Sequence, residues 1–281
     1  MAQISIKGEN RTHGQLLEHY NIERELANKL HNASREERTY LYSSLYNEMY
    51  KRVPLHPQLT RKVSSKETER AVSEQIKFIE PFLKKEITFL EVGPGDCALS
   101  FEIAKVVSQV YAADVSDEIT KCLTPPLNFH LILFNGINFP LPTNSVNLAY
   151  SNQLMEHLHP DDAVEQLENI YNVLAFGGVY ICITPNRLNG PHDISKYFDE
   201  VATGFHLKEY TTQELISLFR KVGFSRILVY VGGRGKYVRF PALPIILYES
   251  LLGVLPYSLR RSTLRLLPFR LLLGIRIVGI K

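Results

Sequence analysis

The chain of 281 residues contains no tryptophan and only three cysteines, Cys97, Cys122 and Cys182. None of the three belongs to a CxxC pair, and each sits in an apolar stretch. A disulfide scaffold is therefore excluded. The three read as small reduced core residues, as expected of a cytoplasmic protein. His, Cys, Asp and Glu nowhere stand at metal-ligand spacing, so no metal is expected. Long hydrophobic runs are also missing. The apolar stretches near the C-terminus are broken by Pro244, Glu249, Pro256, Arg260, Arg261, Arg265 and Pro268. None reaches the roughly 20 apolar residues that cross a bilayer. The opening stretch MAQISIKGENRTHG lacks the apolar centre of a secretory signal, and none is expected. There is no repeat, no low-complexity tract and no ribbon of basic and aromatic residues, so nucleic acid is not an expected partner.

What is present is an ordinary globular composition, 45% hydrophobic and 22% charged, enough for one large domain or two small ones. The charge is unevenly placed. From Arg234 to Lys281, nine Arg and Lys against the single acid Glu249 leave +8, so the net +3 of the chain puts residues 1–233 at −5. A basic, apolar tail on an acidic body has three readings: ordinary surface arginines on packed helices, an amphipathic surface for an anionic membrane, or a site for a phosphorylated substrate.

Residues 1–85 carry helical periodicity. Leu16, Tyr20, Ala27 and Leu30 share one face, and Ser34 with Glu37 forms a capping box ahead of Tyr40, Leu41, Leu45 and Met49. Pro54 and Pro57 mark a break. Ser64 with Glu67 is a second capping box, before a helix carrying Val72, Ile76, Ile79 and Phe82. The texture then changes to short apolar runs alternating with helical segments. Strands are expected at 87–92, 110–115, 129–134, 146–151, 178–184, 224–231 and in the closing LGIRIVGIK, with helices near 101–107, 161–174 and 212–222. This alternation predicts a parallel sheet with helices on both faces. Residues 241–270 read as short, proline-punctuated helices. The segment from Pro185 to about Tyr210 is too long for a mere connector.

The motif LEVGPGDCA places Gly93, Gly95 and Ala98 between a strand and a helix. Glycines there let a ligand approach the backbone, and free N–H groups at a helix start favour an anion. About twenty residues later Asp114 closes the second strand, placed to accept hydrogen bonds from ribose hydroxyls. This geometry suits either a nicotinamide dinucleotide or S-adenosylmethionine.

Here the chain resembles the class I S-adenosylmethionine-dependent methyltransferases, in particular the small-molecule branch that includes quinone-biosynthesis enzymes. Glu91 stands where that family's glycine motif opens with an acid. Asn135–Asp162 is similar to its third- and fourth-strand region, Leu174–Asn186 to its fifth strand with a Gly-Gly turn before it, and Phe205–Phe224 to the segment leading into its sixth. The resemblance covers roughly residues 70–231 and the last strand. It implies an α/β fold: a Rossmann-like, doubly wound, mostly parallel seven-stranded sheet. An N-terminal helical lid (1–69), an S-adenosylmethionine-binding core (70–232) and a basic apolar helical insertion with the final strand (233–281) follow from it.

The implied cofactor contacts are Glu91, Gly93, Gly95, Asp114, Val115, Asn135, Gly136, Ile137, Asn152 and Gln153. Two positions depart from the family pattern. Cys97 replaces the usual third glycine, which is tolerable if this residue avoids a positive φ. Asn135 replaces an acid, and its side-chain oxygen can still accept from the adenine amino group.

Methyl transfer to a hydroxyl needs a proton acceptor. His157, His192, Asp193 and His206 are the candidates, the last three in the long loop. Tyr46, Tyr50, Arg52, His56 and Arg61 are the lid's candidate substrate contacts; half-buried packing is the alternative for the tyrosines. The expected function is methyl transfer, most simply O-methylation of a small-molecule, glycan or lipid-linked acceptor, with peripheral membrane contact through the basic tail. An NAD(P)-dependent oxidoreductase sharing the glycine motif and a non-catalytic S-adenosylmethionine binder are the alternatives.

Overall fold

In a computed structural model that describes residues 9–60, 65–116, 124–264 and 270–281, one eight-stranded sheet forms the centre of the protein. The strands are β1 (Thr88–Val92), β2 (Gln109–Asp114), β3 (Phe129–Leu133), β4 (Val146–Asn152), β5 (Leu174–Thr184), β6 (Arg226–Gly233), β7 (Lys236–Phe240) and β8 (Ile275–Ile280). They lie in the order β3-β2-β1-β4-β5-β8-β6-β7. The first five run parallel, and β8 enters antiparallel between β5 and β6. Strands this apolar must be covered on both faces. Alternate residues divide accordingly: Leu90, Val92 and Ala149 join one core cluster, and Phe89, Leu148 and Tyr150 the other.

Helices α4 (Ser65–Ile79) and α5 (Ala98–Ala104) cover the second face. The first is covered by α1 (His13–Asn32), α2 (Arg35–Arg52), α6 (Pro160–Val173) and α7 (Thr212–Val222). There Tyr180 of β5 stacks on Phe219 of α7 with ring planes 2° apart, an arrangement that adds about 1 kcal/mol to area burial. A four-residue turn, α3 (Pro57–Thr60), follows the break at Pro54. The capping box at Ser34 forms, with Glu37 reaching back to the Ser34 N–H. The proposed box at Ser64, together with Arg61, Cys122, Arg265 and Pro268, lies outside the described residues.

Two differences from the sequence reading concern strands. β5 starts at Leu174, so Gly177 and Gly178 lie inside it as a bend, with Gly177 at φ +74°. β7 is an eighth strand where helical sequence was expected. It pairs with β6 through a two-residue turn, Arg234 and Gly235, both at positive φ, the turn that matches the twist of a hairpin. Five residues bordered by prolines and arginines give no period long enough to read. Beyond β7, α8 (Ala242–Gly253) and α9 (Tyr257–Thr263) precede β8. Among the described residues, no helix is long and apolar enough to cross a membrane.

The N-terminal helices are bolted to the sheet. Arg38 donates two hydrogen bonds to the fully buried Asp162 of α6, at 2.6 and 2.7 Å, and Tyr42 donates a third at 2.8 Å. Breaking such a buried pair by removing one partner costs about 3–5 kcal/mol. Ile22, Leu26, Leu30, Leu45 and Met49 meanwhile share the core cluster of the sheet itself.

Candidate active site

Two adjoining cavities open at the carboxyl ends of β1, β2 and β4. The first, about 330 Å³, begins at the glycine turn. Gly93 and Gly95 both have positive φ, +70° and +57°. A Cβ on Gly95 would meet nothing within 4 Å, so the cavity floor there is bare backbone. Cys97 also adopts a left-handed conformation, φ +59°. The condition under which the Cys97 replacement was tolerable is therefore not met: the turn keeps its glycine shape, and Cys97 bears a strain of about 1–2 kcal/mol. Its thiol is fully buried, and burial pushes its pKa up to about 12.

Asp114 lines this cavity. Its Oδ1 accepts from the N–H groups of Val115 and Ser116, at 2.7 and 3.2 Å. Burial nevertheless pushes its pKa up to about 6. Gly136, Gln153 and His157 complete the polar lining, with Val115, Phe134, Leu154 and Leu158 as apolar walls. Gln166 of α6 faces the same space. Its Nε2 donates to the carbonyl of Gly136 at 2.6 Å, while its buried Oε1 has no partner.

Four residues of the implied cofactor set lie elsewhere. Glu91 is buried beneath the turn, where Ser100 Oγ donates to it at 2.5 Å and desolvation raises its pKa to about 8. The Asn135 oxygen is spent on the N–H groups of Ile137 and Asn138 in its own loop. Ile137 is fully buried, and Asn152 ends β4 outside the lining. Gln166 Oε1 is thus a buried acceptor on the wall without a partner, and no local spacing announces it.

The second cavity, about 260 Å³, shares Tyr46, Gln153 and His157 with the first. His192, Asp193 and His206 all line it, together with His19, Glu23 and His56 from the N-terminal segment. His157 Nδ1 lies 3.0 Å from the carbonyl of Phe205. A carbonyl only accepts, so Nδ1 carries the proton and Nε2 keeps its lone pair. Burial drives the His157 pKa down to about 3, which keeps the ring neutral. His206 packs edge-on against His157 at 4.7 Å, and its Nδ1 lies 2.7 Å from Glu209 Oε1. That carboxylate holds the pKa of His206 up, and the two histidines His192 and His206 hold Glu209 down to about 2. Asp193 accepts from the N–H groups of Ser195 and Gly204, so it builds the loop. Of the other lid residues, Tyr50 lines the first cavity, whereas Arg52 is exposed and pairs with Glu25 and Glu48.

Glu23 and Glu209 were missed from the sequence, as was His19. Glu23 ties α1 to the long loop: Oε1 lies 2.6 Å from His19 Nε2, and Oε2 accepts from the N–H of Phe205 at 3.2 Å. His19 and Glu23 stand four residues apart on one helical face, a spacing that pairs side chains. That was the available signal.

The strand order without β7, a glycine turn after β1 and an acid closing β2 together define the class I methyltransferase architecture. Residues 90–182 match the family described as a methyltransferase domain. A probable S-adenosylmethionine-dependent methyltransferase of Mycolicibacterium smegmatis is 31% identical over 138 residues, 48% of this chain and 51% of that protein. The chain thus spans about half the length of this curated relative.

Two solved structures share the fold. One is the putative methyltransferase complexed with the Trm112 methyltransferase activator of Haloferax volcanii, with TM-score 0.55, 14% identity, and coverage of 80% of this chain and 95% of that one. The other is phosphoethanolamine N-methyltransferase 1 of Haemonchus contortus, solved with phosphoethanolamine and S-adenosylhomocysteine, with TM-score 0.53, 14% identity, and coverage of 88% and 50%. Residues 90–182 thus match a methyltransferase domain within a Rossmann-like methyltransferase fold, and the relative's name gives S-adenosylmethionine as its cofactor. The nicotinamide alternative falls with these matches.

The first cavity fits this cofactor. Its floor admits backbone approach at Gly95, Asp114 offers a carboxylate to ribose hydroxyls, and Gln166 Oε1 is an unsatisfied acceptor suited to an adenine amino group.

Proposed function

We propose that the protein transfers a methyl group from S-adenosylmethionine to a hydroxyl of an acceptor seated in the second cavity. One observation carries this reading: the two cavities meet at His157, Tyr46 and Gln153. The bound cofactor supplies an electrophilic methyl on a sulfonium, displaced in line, with the S–C electron pair staying on sulfur. Everything else is the work of this chain. Asp114 and Gln166 hold the nucleotide, and the walls of Tyr46 and Phe205, stacked at 4.9 Å, exclude water. His157, which lines both cavities and keeps its lone pair on Nε2, takes the hydroxyl proton as the new O–C bond forms.

The test is to incubate the protein with S-adenosylmethionine labelled in its methyl group and a cell extract, then read the product by NMR. An O-methyl carbon is expected. An N-methyl or C-methyl product would overturn the hydroxyl assignment, and binding without transfer to any fraction would favour a non-catalytic binder.

We further propose that the acceptor is lipid-linked and met at an anionic membrane surface. Leu243, Leu247 and Leu251 form a stripe on α8, exposed by 64, 57 and 68%, and Val254 and Leu259 after it are exposed as well. Arg261, Arg270 and Arg239 are exposed nearby in sequence. The one acid of the segment, Glu249, is turned inward, accepting from Asn186 Nδ2 at 2.5 Å and from the Thr212 N–H. An apolar stripe with arginines and no exposed acid suits anionic headgroups. The protein is expected to float with anionic vesicles and not with neutral ones, and Leu247→Asp with Leu251→Asp should abolish flotation. Equal behaviour toward both vesicle types would remove this reading.

A further inference from the structure

Four carboxylates surround the second cavity: Glu23, Asp193 and Glu209 in its lining or against its histidines, and Glu156 directly behind His157. Three of them are saturated. Glu23 takes His19 and the Phe205 N–H, Asp193 takes the N–H groups of Ser195 and Gly204, and Glu209 takes His192 and His206. Glu156 is different. It is fully buried; Oε2 accepts from Thr184 Oγ1 at 2.8 Å, and Oε1 has no hydrogen-bond partner. A buried carboxylate oxygen left without a donor is costly, and such an orphan calls for an explanation.

The explanation lies next to it. One oxygen of Glu156 and one ring nitrogen each of His157 and His206 fall within 4.8 Å of one another. Both rings have Nδ1 engaged and Nε2 left available, the pattern of metal-ligating imidazoles. In such sites the far nitrogen donates its proton to a backbone carbonyl or a carboxylate, which fixes the tautomer and turns the other lone pair toward the ion. His157 Nδ1 donates to the carbonyl of Phe205, and His206 Nδ1 to Glu209.

We infer that Glu156, His157 and His206 bind a divalent first-row transition ion, such as Zn²⁺ or Mn²⁺, at the junction of the two cavities. Two imidazoles and one carboxylate leave coordination positions open, and this donor set prefers such ions to Mg²⁺ or Ca²⁺. The second His/Glu cluster, His19, Glu23 and His56, lacks this orientation. Arg11 donates to His19 Nδ1 at 2.7 Å, so His19 Nε2 bears the proton and is committed to Glu23.

The inference deepens the hydroxyl-methylation reading and rests on it for the role of the ion. An imidazole, with an ordinary pKa of about 6.5, is by itself a weak base for an alcohol. An ion on its lone pair would bind the acceptor oxygen instead and lower the pKa of the hydroxyl, whose proton then leaves to water. Atoms and charge balance as before: the O–C bond forms, the S–C bond breaks and one proton is released.

The test is calorimetric titration of the chelator-stripped protein with Zn²⁺, Mn²⁺ and Mg²⁺, without acceptor. One equivalent of Zn²⁺ or Mn²⁺ is expected to bind. Glu156→Gln and His206→Ala should each weaken that affinity by roughly 100-fold, and His19→Ala should retain it. S-adenosylmethionine binding reports that each variant is folded. No stoichiometric uptake by a protein that binds the cofactor would overturn the inference. So would uptake lost in His19→Ala and kept in His206→Ala. In the transfer assay with cell extract, activity undiminished by chelation would sink the ion and leave His157 as the base. Absence of O-methyl product, with the ion bound, would sink the hydroxyl reading alone.

Discussion

The two cavities are built on opposite plans. The first cavity has a floor of bare backbone at the glycine turn, the acid closing β2 and the loop after β3 beside it, and mostly aromatic and apolar walls from α2 and the turn after β4. The second cavity is rich in titratable side chains gathered from distant stretches: α1, the turn at His56, the segment after β4 and the loop from Pro185 to Tyr210, with Tyr46 and Met49 of α2 between them. The first, on the proposed reading, holds an invariant molecule and needs little chemistry. The second has five histidines and several carboxylates arranged in hydrogen-bonded pairs, as a site that must move protons or hold a cation would.

The sharpest break between the two would come at their junction. His157→Asn keeps a donor toward the Phe205 carbonyl and deletes the Nε2 lone pair. It should slow methyl incorporation into the acceptor pool by about 10²–10⁴-fold while leaving S-adenosylmethionine affinity nearly unchanged in calorimetry. A comparable loss of cofactor affinity would mean that His157 belongs to the cleft, and the division drawn here would fail.

Asp114→Ala makes the opposite cut. Hydrogen bonds to a charged group contribute about 1.5–3 kcal/mol, so affinity for S-adenosylmethionine should fall roughly 10–100-fold, with metal uptake unaffected. The raised pKa of Asp114 gives this contact a pH dependence. The carboxylate is the accepting form, and it is lost as pH falls through about 6. Cofactor affinity should therefore drop by up to about tenfold per unit below that pH, and the dependence should vanish in Asp114→Asn. Stability moves the other way over the same range. Glu91, at about 8, and Asp114 bind protons more tightly in the folded than in the unfolded chain, so the fold gains stability as pH falls from 8 toward 5. Glu209, depressed to about 2, stabilises the fold above its ordinary value near 4.5, and that contribution is lost below it. His157, held down to about 3, opposes that gain below about pH 6.5, so a stability maximum between about pH 5 and 6.5 is expected in denaturant titrations, and a monotonic rise to pH 8 would contradict it.

The sequence was legible where physics acts locally. Strands buried on both faces read as apolar runs, so β1 to β5 and β8 stand within a few residues of their expected places. Gly93, Gly95 and Asp114 line the cleft because a turn and a strand end are local constructions. The reading failed where partners are chosen in three dimensions. Asn135 carries the right chemistry for adenine, yet its own loop claims the oxygen, and Gln166 supplies an acceptor from a helix some thirty positions on. No linear spacing joins Glu156 and His157 to His206, because helix α6, strand β5 and most of the long loop separate them. The N-terminal helices were read as a cover. Their buried Arg38–Asp162 pair makes them a wall, which is why their polar residues can be placed accurately enough to form a site.

The smallest expected effect tests why the cleft departs from its family at one residue. Cys97 is buried and left-handed, so it gains from packing and loses from backbone strain. Cys97→Ala removes the sulfur and keeps the strain, and should cost about 1 kcal/mol. Cys97→Gly removes both. It should be more stable than the alanine variant by about 1 kcal/mol, because relief of the left-handed penalty exceeds the extra entropy of glycine in the unfolded chain. Denaturant midpoints of the two variants decide it. If glycine proved the less stable, the positive φ would carry no penalty, and the thiol would have to be explained by its packing under the turn alone.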